Sequence, residues 1–277
     1  MPAGVKKHNT TSMALKQFSY EGSPVYYRVE GKGNTAFLVH GFGEKGTVWE
    51  EQIAALKDEF RLIIPDLPGT GNSGKVDDMS MEGLAAVLRA LAEEEAPGDK
   101  IVVIGHSMGG YITLAFAEAY PELLSGFGLF HSSALPDSEE KKATRRKAIG
   151  FIREHGSAAF FRQSTPNLFA PATREQKPGL IDEFIDELGN FSPEILVSYY
   201  EAMMERPDRT DVLKNAACPV LFILGQHDTA LPFENGLKQV NLPEKSYIHV
   251  LRQSGHMGML EEPEKSNHIL KDFLRAT

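Results

Sequence analysis

The sequence predicts an α/β fold: a mostly parallel central sheet with helices on both faces, interrupted late by an inserted helical segment. Three observations carry this reading. Short apolar, β-branched runs alternate with stretches at helical spacing along most of the 277 residues, the pattern of strands joined by crossover helices. One of these runs, Ile101–Ile104, is apolar throughout and leads through Gly105-His106-Ser107-Met108-Gly109 into the helical stretch Tyr111–Tyr120. Between Asp137 and Glu205 the alternation stops, and four helical patterns follow one another without a strand.

Taken in order, Leu15–Tyr20 and Pro24–Glu30 alternate as an antiparallel opening pair around a Glu21-Gly22-Ser23 turn. Thr35–His40 is a buried strand ending in His40-Gly41-Phe42-Gly43, a flexible loop that feeds a helix around Val48–Phe60. Arg61–Pro65 is the next strand, followed by the turn-rich Asp66–Ser73 and a helix over Met81–Glu95 whose Glu93-Glu94-Glu95 end reads as solvated. After the central run and its helix comes the strand Ser125–His131. The segment 136–206, punctuated by prolines, reads as a helical cap inserted into a single domain spanning 1–277. Alternation resumes with a helix near Asp208–Ala216, strand Pro219–Leu224, helix Phe233–Val240, strand Ser246–Leu251 and an amphipathic helix over Pro263–Leu274.

Composition narrows the partners. A net charge of −9 argues against nucleic acid or an anionic membrane, and no uninterrupted apolar run is long enough for a membrane helix. The first dozen residues lack an apolar h-region and read as a frayed tail rather than a signal peptide. The single Cys218, which cannot form an internal disulfide, fits a reducing cytoplasm and reads as a small core residue. A small molecule is the expected partner, and both monomer and homodimer fit. No His/Cys/Asp grouping has metal-ligand spacing, so no metal is expected.

Ser107 lies where a strand turns sharply into a helix. Such a turn strains the serine backbone, and only glycine fits two residues to either side, at Gly105 and Gly109. A serine hydroxyl needs a base to take its proton, and the base needs an orienting group. Asp228, in the loop after the strand of LFILGQHD, and His256, just past SYIHVLRQSG, supply them from the ends of two later strands. The order along the chain is therefore Ser, Asp, His. In a parallel sheet all three converge outside the carboxyl ends of the strands.

The motifs HGFG (40–43), DLPGTGNS (66–73), GHSMGG (105–110), GQHD (225–228) and SGHMGMLEEPE (254–264), in this order, resemble those of the α/β-hydrolase fold, specifically its serine-nucleophile, capped, esterase- or lactonase-like members. The resemblance covers nearly all of the chain beyond the first dozen residues and is poorest in the cap. It implies Ser107 as nucleophile, His256 as general base and then acid, Asp228 as the orienting carboxylate, and the backbone N–H groups of Phe42 and Met108 as the oxyanion hole. It implies a cofactor-free hydrolase acting on a small carboxylic ester or lactone. The runner-up is a carbon–carbon bond hydrolase acting on a ring-cleavage product, and last comes a triad-retaining ligand receptor.

Other residues have two readings each. Asp66 competes as the triad acid but reads better as a loop brace, and His40 and His106 read as structural. Trp49, His131, Phe161 and Tyr199 are the candidate substrate-contacting side chains, with core packing as the equal alternative for Trp49 and packing within the cap as the alternative for Phe161 and Tyr199. The basic group Lys141, Lys142, Arg145, Arg146 and Lys147 reads as a solvated helix face beside Glu139 and Glu140, with an arginine clamp for a substrate carboxylate as the alternative.

Overall fold

The computed structural model describes residues 15–189 and 191–277, so the tail expected over the first dozen residues lies outside the described residues. Strands β1 (Lys16–Tyr20) and β2 (Ser23–Glu30) form the expected hairpin, with Glu21 and Gly22 both at positive φ, 49° and 83°. Then follow β3 (Thr35–Val39), a 3₁₀ turn Gly46–Trp49 running into α1 (Glu50–Leu56), β4 (Arg61–Pro65) and α2 (Met81–Glu95). The centre is β5 (Ile101–His106), α3 (Met108–Ala119) and β6 (Leu124–Phe130).

Next come four helices with no strand: α4 (Glu139–Ser164), α5 (Pro171–Gln176), α6 (Pro178–Leu188) and α7 (Pro193–Glu205). Helix α4 is broken at Gly156, whose φ of 81° and ψ of 169° suit glycine and no helix. The chain closes with α8 (Thr210–Lys214), β7 (Val220–Gly225), α9 (Phe233–Leu237), β8 (Ser246–Leu251), α10 (Gly258–Glu261) and α11 (Pro263–Arg275). No helix among the described residues is long and apolar enough to cross a membrane.

The eight strands form one sheet in the order β1-β2-β4-β3-β5-β6-β7-β8, antiparallel only where β2 meets β1 and β4. Strand side chains alternate between faces, and both faces are apolar. Phe37, Val103, Phe127 and Phe222 face the layer of α2 and α3, where Leu84, Leu88, Ile112 and Phe116 pack. Leu38, Ile104, Leu221 and Ile223 face α1 and α11, where Ile53, Leu56, Ile269 and Phe273 pack. The rigid centre therefore fixes the ends of β3, β5, β6, β7 and β8 relative to one another.

Local differences from expectation have local causes. Helix α1 stops at Leu56 because the Glu59 and Phe60 N–H groups both close onto the Leu56 carbonyl at 3.0 Å, turning the chain toward β4. Glu95 is not solvated: its carboxylate accepts from Lys16 and the Tyr27 hydroxyl at 2.7 and 2.6 Å and also pairs with Arg61, pinning the hairpin to α2. The basic group on α4 does not stay together. Arg145 turns inward and pairs with buried Asp137 at 2.5 Å, and Arg206 binds the same carboxylate at 2.8 Å. Asp137 thus ties the start of the helical segment to its end.

Candidate active site

Strand β5 delivers Ser107 into the turn, and its backbone takes φ 51° and ψ −114°, a strained conformation for a residue with a side chain. The glycines explain how the turn closes. A Cβ at Gly105 would fall far inside contact with the Gly109 carbonyl, and one at Gly109 would strike the Val39 and His40 carbonyls of the neighbouring strand. Three further bonds brace the elbow. The Ser107 N–H donates to the Phe130 carbonyl at 2.9 Å, the Gly110 N–H to the Ser107 carbonyl at 3.0 Å, and the Ser132 hydroxyl to that same carbonyl at 2.6 Å.

From the end of β8, His256 reaches back to Ser107. Its Nε2 lies 2.8 Å from the Ser107 Oγ, and its Nδ1 lies 2.7 Å from Asp228 Oδ2. The other Asp228 oxygen accepts the Ala230 and Leu231 N–H groups, both at 2.8 Å, which fixes the carboxylate in the loop after β7. Burial alone would raise the Asp228 pKa, but the charge of His256 and the hydrogen bonds of His131 and His256 outweigh it and hold the carboxyl far below its usual range. Asp228 is therefore an anion at any physiological pH. Ser107, His256 and Asp228, from three separate strand ends, form one continuous relay.

The two backbone N–H groups expected on the oxyanion side are those of Met108 and Phe42. Met108 opens α3, so its N–H is one of the unpaired donors at a helix N-terminus. Neither it nor the Phe42 N–H has a hydrogen-bond partner among the described residues. The loop bearing Phe42 is held by Glu44, which accepts the Gly41 N–H at 2.7 Å. Gly43 sits at φ 71° with the Phe161 ring where its Cβ would be.

The structure reveals a second dyad that the sequence reading did not find. Glu44 also pairs with His106 Nδ1 at 2.9 Å, and His106 Nε2 lies 2.9 Å from the backbone carbonyl of His256. Both partners of the ring are acceptors, so both ring nitrogens donate and the imidazole is protonated. Burial lowers the His106 pKa, but the Glu44 charge and both hydrogen bonds raise it by more, while His106 and the Gly41 N–H hold Glu44 below its ordinary value. His106 thus does more than pack: with Glu44 it links the Phe42 loop to the backbone of His256.

The four candidate contact residues divide. Trp49 is fully buried, edge-on to Phe130 and His106 at 5.6 and 6.4 Å, because the 3₁₀ turn aims it into the core behind the site. It does not reach the crevice. Tyr199 is likewise buried and spends its hydroxyl on the Pro68 carbonyl at 2.6 Å, so it anchors α7 to the 66–73 loop. His131 does not face the crevice either; its Nδ1 lies 3.3 Å from Asp228 Oδ2, and burial pushes its pKa down to about 4, leaving it neutral.

Phe161 alone borders open space, a cavity of about 90 Å³ beside the oxyanion loop that Phe42, Phe160, Leu168, Phe184 and Tyr200 also line. Tyr200, which stacks on Phe42 at 4.2 Å, is a pocket residue that those four candidates omit. A larger concavity, about 620 Å³, opens at the opposite ends of the strands near Lys100, Cys218 and Pro219, away from the triad.

His131, Asp228 and His256 also bring three ligand-type atoms within 4.8 Å of one another. The 2.7 Å between His256 Nδ1 and Asp228 Oδ2 marks a hydrogen bond, since two ligands each about 2.1 Å from a tetrahedral metal lie more than 3 Å apart. The group fits proton relay and not metal binding.

Fold and site together have the form of a hydrolase with a Ser-His-Asp relay, and comparison with known proteins shows hydrolases. The sequence profile of the alpha/beta hydrolase family matches residues 36–267, and the chain belongs to that family. It is similar to a thermophilic esterase from Thermogutta terrifontis, solved with malate bound, at 32% identity and a TM-score of 0.88 over 95% of this chain and 99% of that one. A 2-hydroxy-6-oxononadienedioate/2-hydroxy-6-oxononatrienedioate hydrolase from Burkholderia vietnamiensis is 27% identical over 91% of both chains. An enol-lactonase from Burkholderia xenovorans shares the fold, with a TM-score of 0.85 and 22% identity, covering 94% of this chain and 100% of that one.

Proposed function

We propose that the protein hydrolyses a small carboxylic ester or lactone through an acyl-enzyme formed on Ser107. One observation carries the reading: the unbroken relay of 2.8 and 2.7 Å from Ser107 through His256 to Asp228, with the Met108 and Phe42 N–H groups unpaired among the described residues. As Ser107 Oγ attacks the carbonyl carbon, its proton passes to His256 Nε2, and Asp228 stabilises the imidazolium. The carbonyl oxygen becomes an oxyanion held by the Met108 and Phe42 N–H groups, each such donor contributing about 3–4 kcal/mol to the transition state. His256 then gives its proton to the leaving alcohol. Water repeats the sequence on the acyl-enzyme, releasing the acid and restoring the Ser107 hydroxyl.

The cap reading of 136–206 assigns the helices over the sheet ends to substrate choice. The cavity beside the oxyanion loop is small, about 90 Å³, which supports a short acyl group. The reading takes the partner as a small molecule in the cytoplasm, with neither nucleic acid nor membrane involved and no cofactor. Initial rates on p-nitrophenyl esters from acetate to decanoate test it: the expected optimum is at four carbons or fewer, with activity lost in Ser107→Ala. Full activity in that variant overturns the mechanism. The carbon–carbon reading uses the same triad, and the relative from Burkholderia vietnamiensis keeps it as second choice. Inactivity on every ester, with cleavage of a ring-fission product, would favour it.

A further inference from the structure

Four basic residues in the first turns of α4 divide between two faces, and the division has a chemical meaning. Lys142 and Arg146 pair outward with exposed Glu139 at 3.4 and 3.8 Å. Lys141 and Arg145 point the other way. The Lys141 ammonium donates to the Ala230 carbonyl at 3.0 Å, two residues beyond Asp228, and uses only that one of its three N–H donors among the described residues. Arg145 lies over the Tyr200 ring at 5.4 Å, and Tyr200 stacks on Phe42 of the oxyanion loop. Arg206 covers the ring of Tyr111 at 3.8 Å, and the Tyr111 hydroxyl has no hydrogen-bond partner among the described residues. Tyr111 follows Ser107 by four residues on α3, about 6 Å along the helix axis.

These groups gather around Tyr111, near the start of α3, and Ala230, two residues beyond Asp228, and their charges do not balance. Asp137 is shared by Arg145 and Arg206, so the three residues together carry one positive charge. Lys141 adds a second, and no carboxylate pairs with it among the described residues. Burial and the neighbouring Arg145 push its pKa below the ordinary lysine value by more than the charges of Asp137 and Asp228 raise it. A half-buried cation without a counterion is costly, and an anionic ligand relieves that cost.

We propose that Lys141 and Arg145, with the Tyr111 hydroxyl, form a carboxylate-binding subsite beside Ser107, so that the preferred substrate is an ester carrying a second, anionic carboxylate a short chain from the scissile bond. This rests on Ser107 as the nucleophile and specifies the substrate class for that site. The carboxylate accepts from the free Lys141 and Tyr111 donors and from Arg145 Nη1, while Asp137 keeps Arg145 oriented. Neutral esters of the same length lack this hold and enter with a higher KM.

The test compares methyl butyrate with two anionic esters, monomethyl glutarate (carboxylate on the acyl side) and acetoxyacetate (carboxylate on the alcohol side), by pH-stat. In the wild type, one anionic ester is expected to exceed methyl butyrate at least tenfold in kcat/KM. Lys141→Met should lower that ratio at least tenfold, chiefly through KM, Lys141→Arg should restore most of it, and outward-facing Lys142→Met should leave it unchanged. Ratios near one for both anionic esters, or equal ratios in wild type and Lys141→Met, overturn the proposal. If no ester is hydrolysed, the ester reading itself has failed, and calorimetry with glutarate decides the subsite alone. Saturable binding lost in Lys141→Met supports it, and no binding to the wild type overturns it.

Discussion

Replacing Glu44 with leucine tests how the site is held together. Glu44 accepts the Gly41 N–H and neutralises the fully buried His106, whose other nitrogen holds the His256 carbonyl. Leucine fills similar space and removes both acceptors. Each orphaned buried donor costs about 1–3 kcal/mol, and breaking a buried ion pair from one side costs about 3–5 kcal/mol, so a loss of about 4 kcal/mol is expected. Glu44→Gln should cost less, about 1–2 kcal/mol. Its amide oxygen still accepts from Gly41 and its NH₂ donates to a neutral His106, so only the charge-assisted part is lost.

The pH dependence follows from the two shifts. The Glu44 pKa is lowered in the fold, so its contribution is complete above 4.5 and fades as pH falls below that. The His106 pKa is raised, so its contribution is complete below 6.5 and fades as pH rises through the folded value. The difference between wild type and Glu44→Gln should therefore be greatest between pH 4.5 and 6.5. Urea unfolding across that range measures it, and kcat reports the Phe42 loop: misplacing one oxyanion donor costs about 10²–10³-fold. A Glu44→Leu variant within 1 kcal/mol of wild type with unchanged kcat would refute the linkage.

Two further outcomes follow from the same geometry. Gly109→Ala places a methyl against the Val39 and His40 carbonyls of a rigid sheet, so it should lose at least about 3 kcal/mol by thermal unfolding or fail to fold. Its wild-type stability would show that the elbow yields. His131 binds its proton only near pH 4 in the fold against 6.5 unfolded, so the unfolded chain takes up the proton first and stability falls as pH drops from 6.5 toward 4, by about 3 kcal/mol in all. His131→Gln should flatten that part of the urea-derived stability curve, and an unaltered slope would contradict a buried neutral histidine.

What the sequence revealed, it revealed through local chemistry. The elbow needs glycine on both sides of a serine between a β-branched strand and a helix, and those demands fall within five consecutive residues. The alternation fixed which strand ends would converge, and hence Asp228 and His256, though 121 and 149 residues from Ser107. Side-chain direction was another matter. The place of Trp49 after the oxyanion loop suits the pocket and the core equally, and a 3₁₀ turn in place of an early α-helix rotates it into the core. Glu44 and His106 are 62 residues apart, and neither carries a local sign of its partner. The basic residues of α4 were read by composition, whereas their division depends on Asp137 and on Arg206 at the far end of the helical segment. Local signals specify backbone shape; pairing between distant polar groups is set by packing.

The central claim is that Ser107 is the nucleophile, activated by His256. The most direct measurement is the intact mass of wild type and Ser107→Ala after exposure to an aryl diethyl phosphate, which traps an activated serine as a stable phosphoryl adduct. Wild type should gain a single diethylphosphoryl group, located on Ser107 by peptide mapping, and lose esterase activity in proportion, while Ser107→Ala gains none. Labelling at another residue, or equal labelling of Ser107→Ala, would contradict the account.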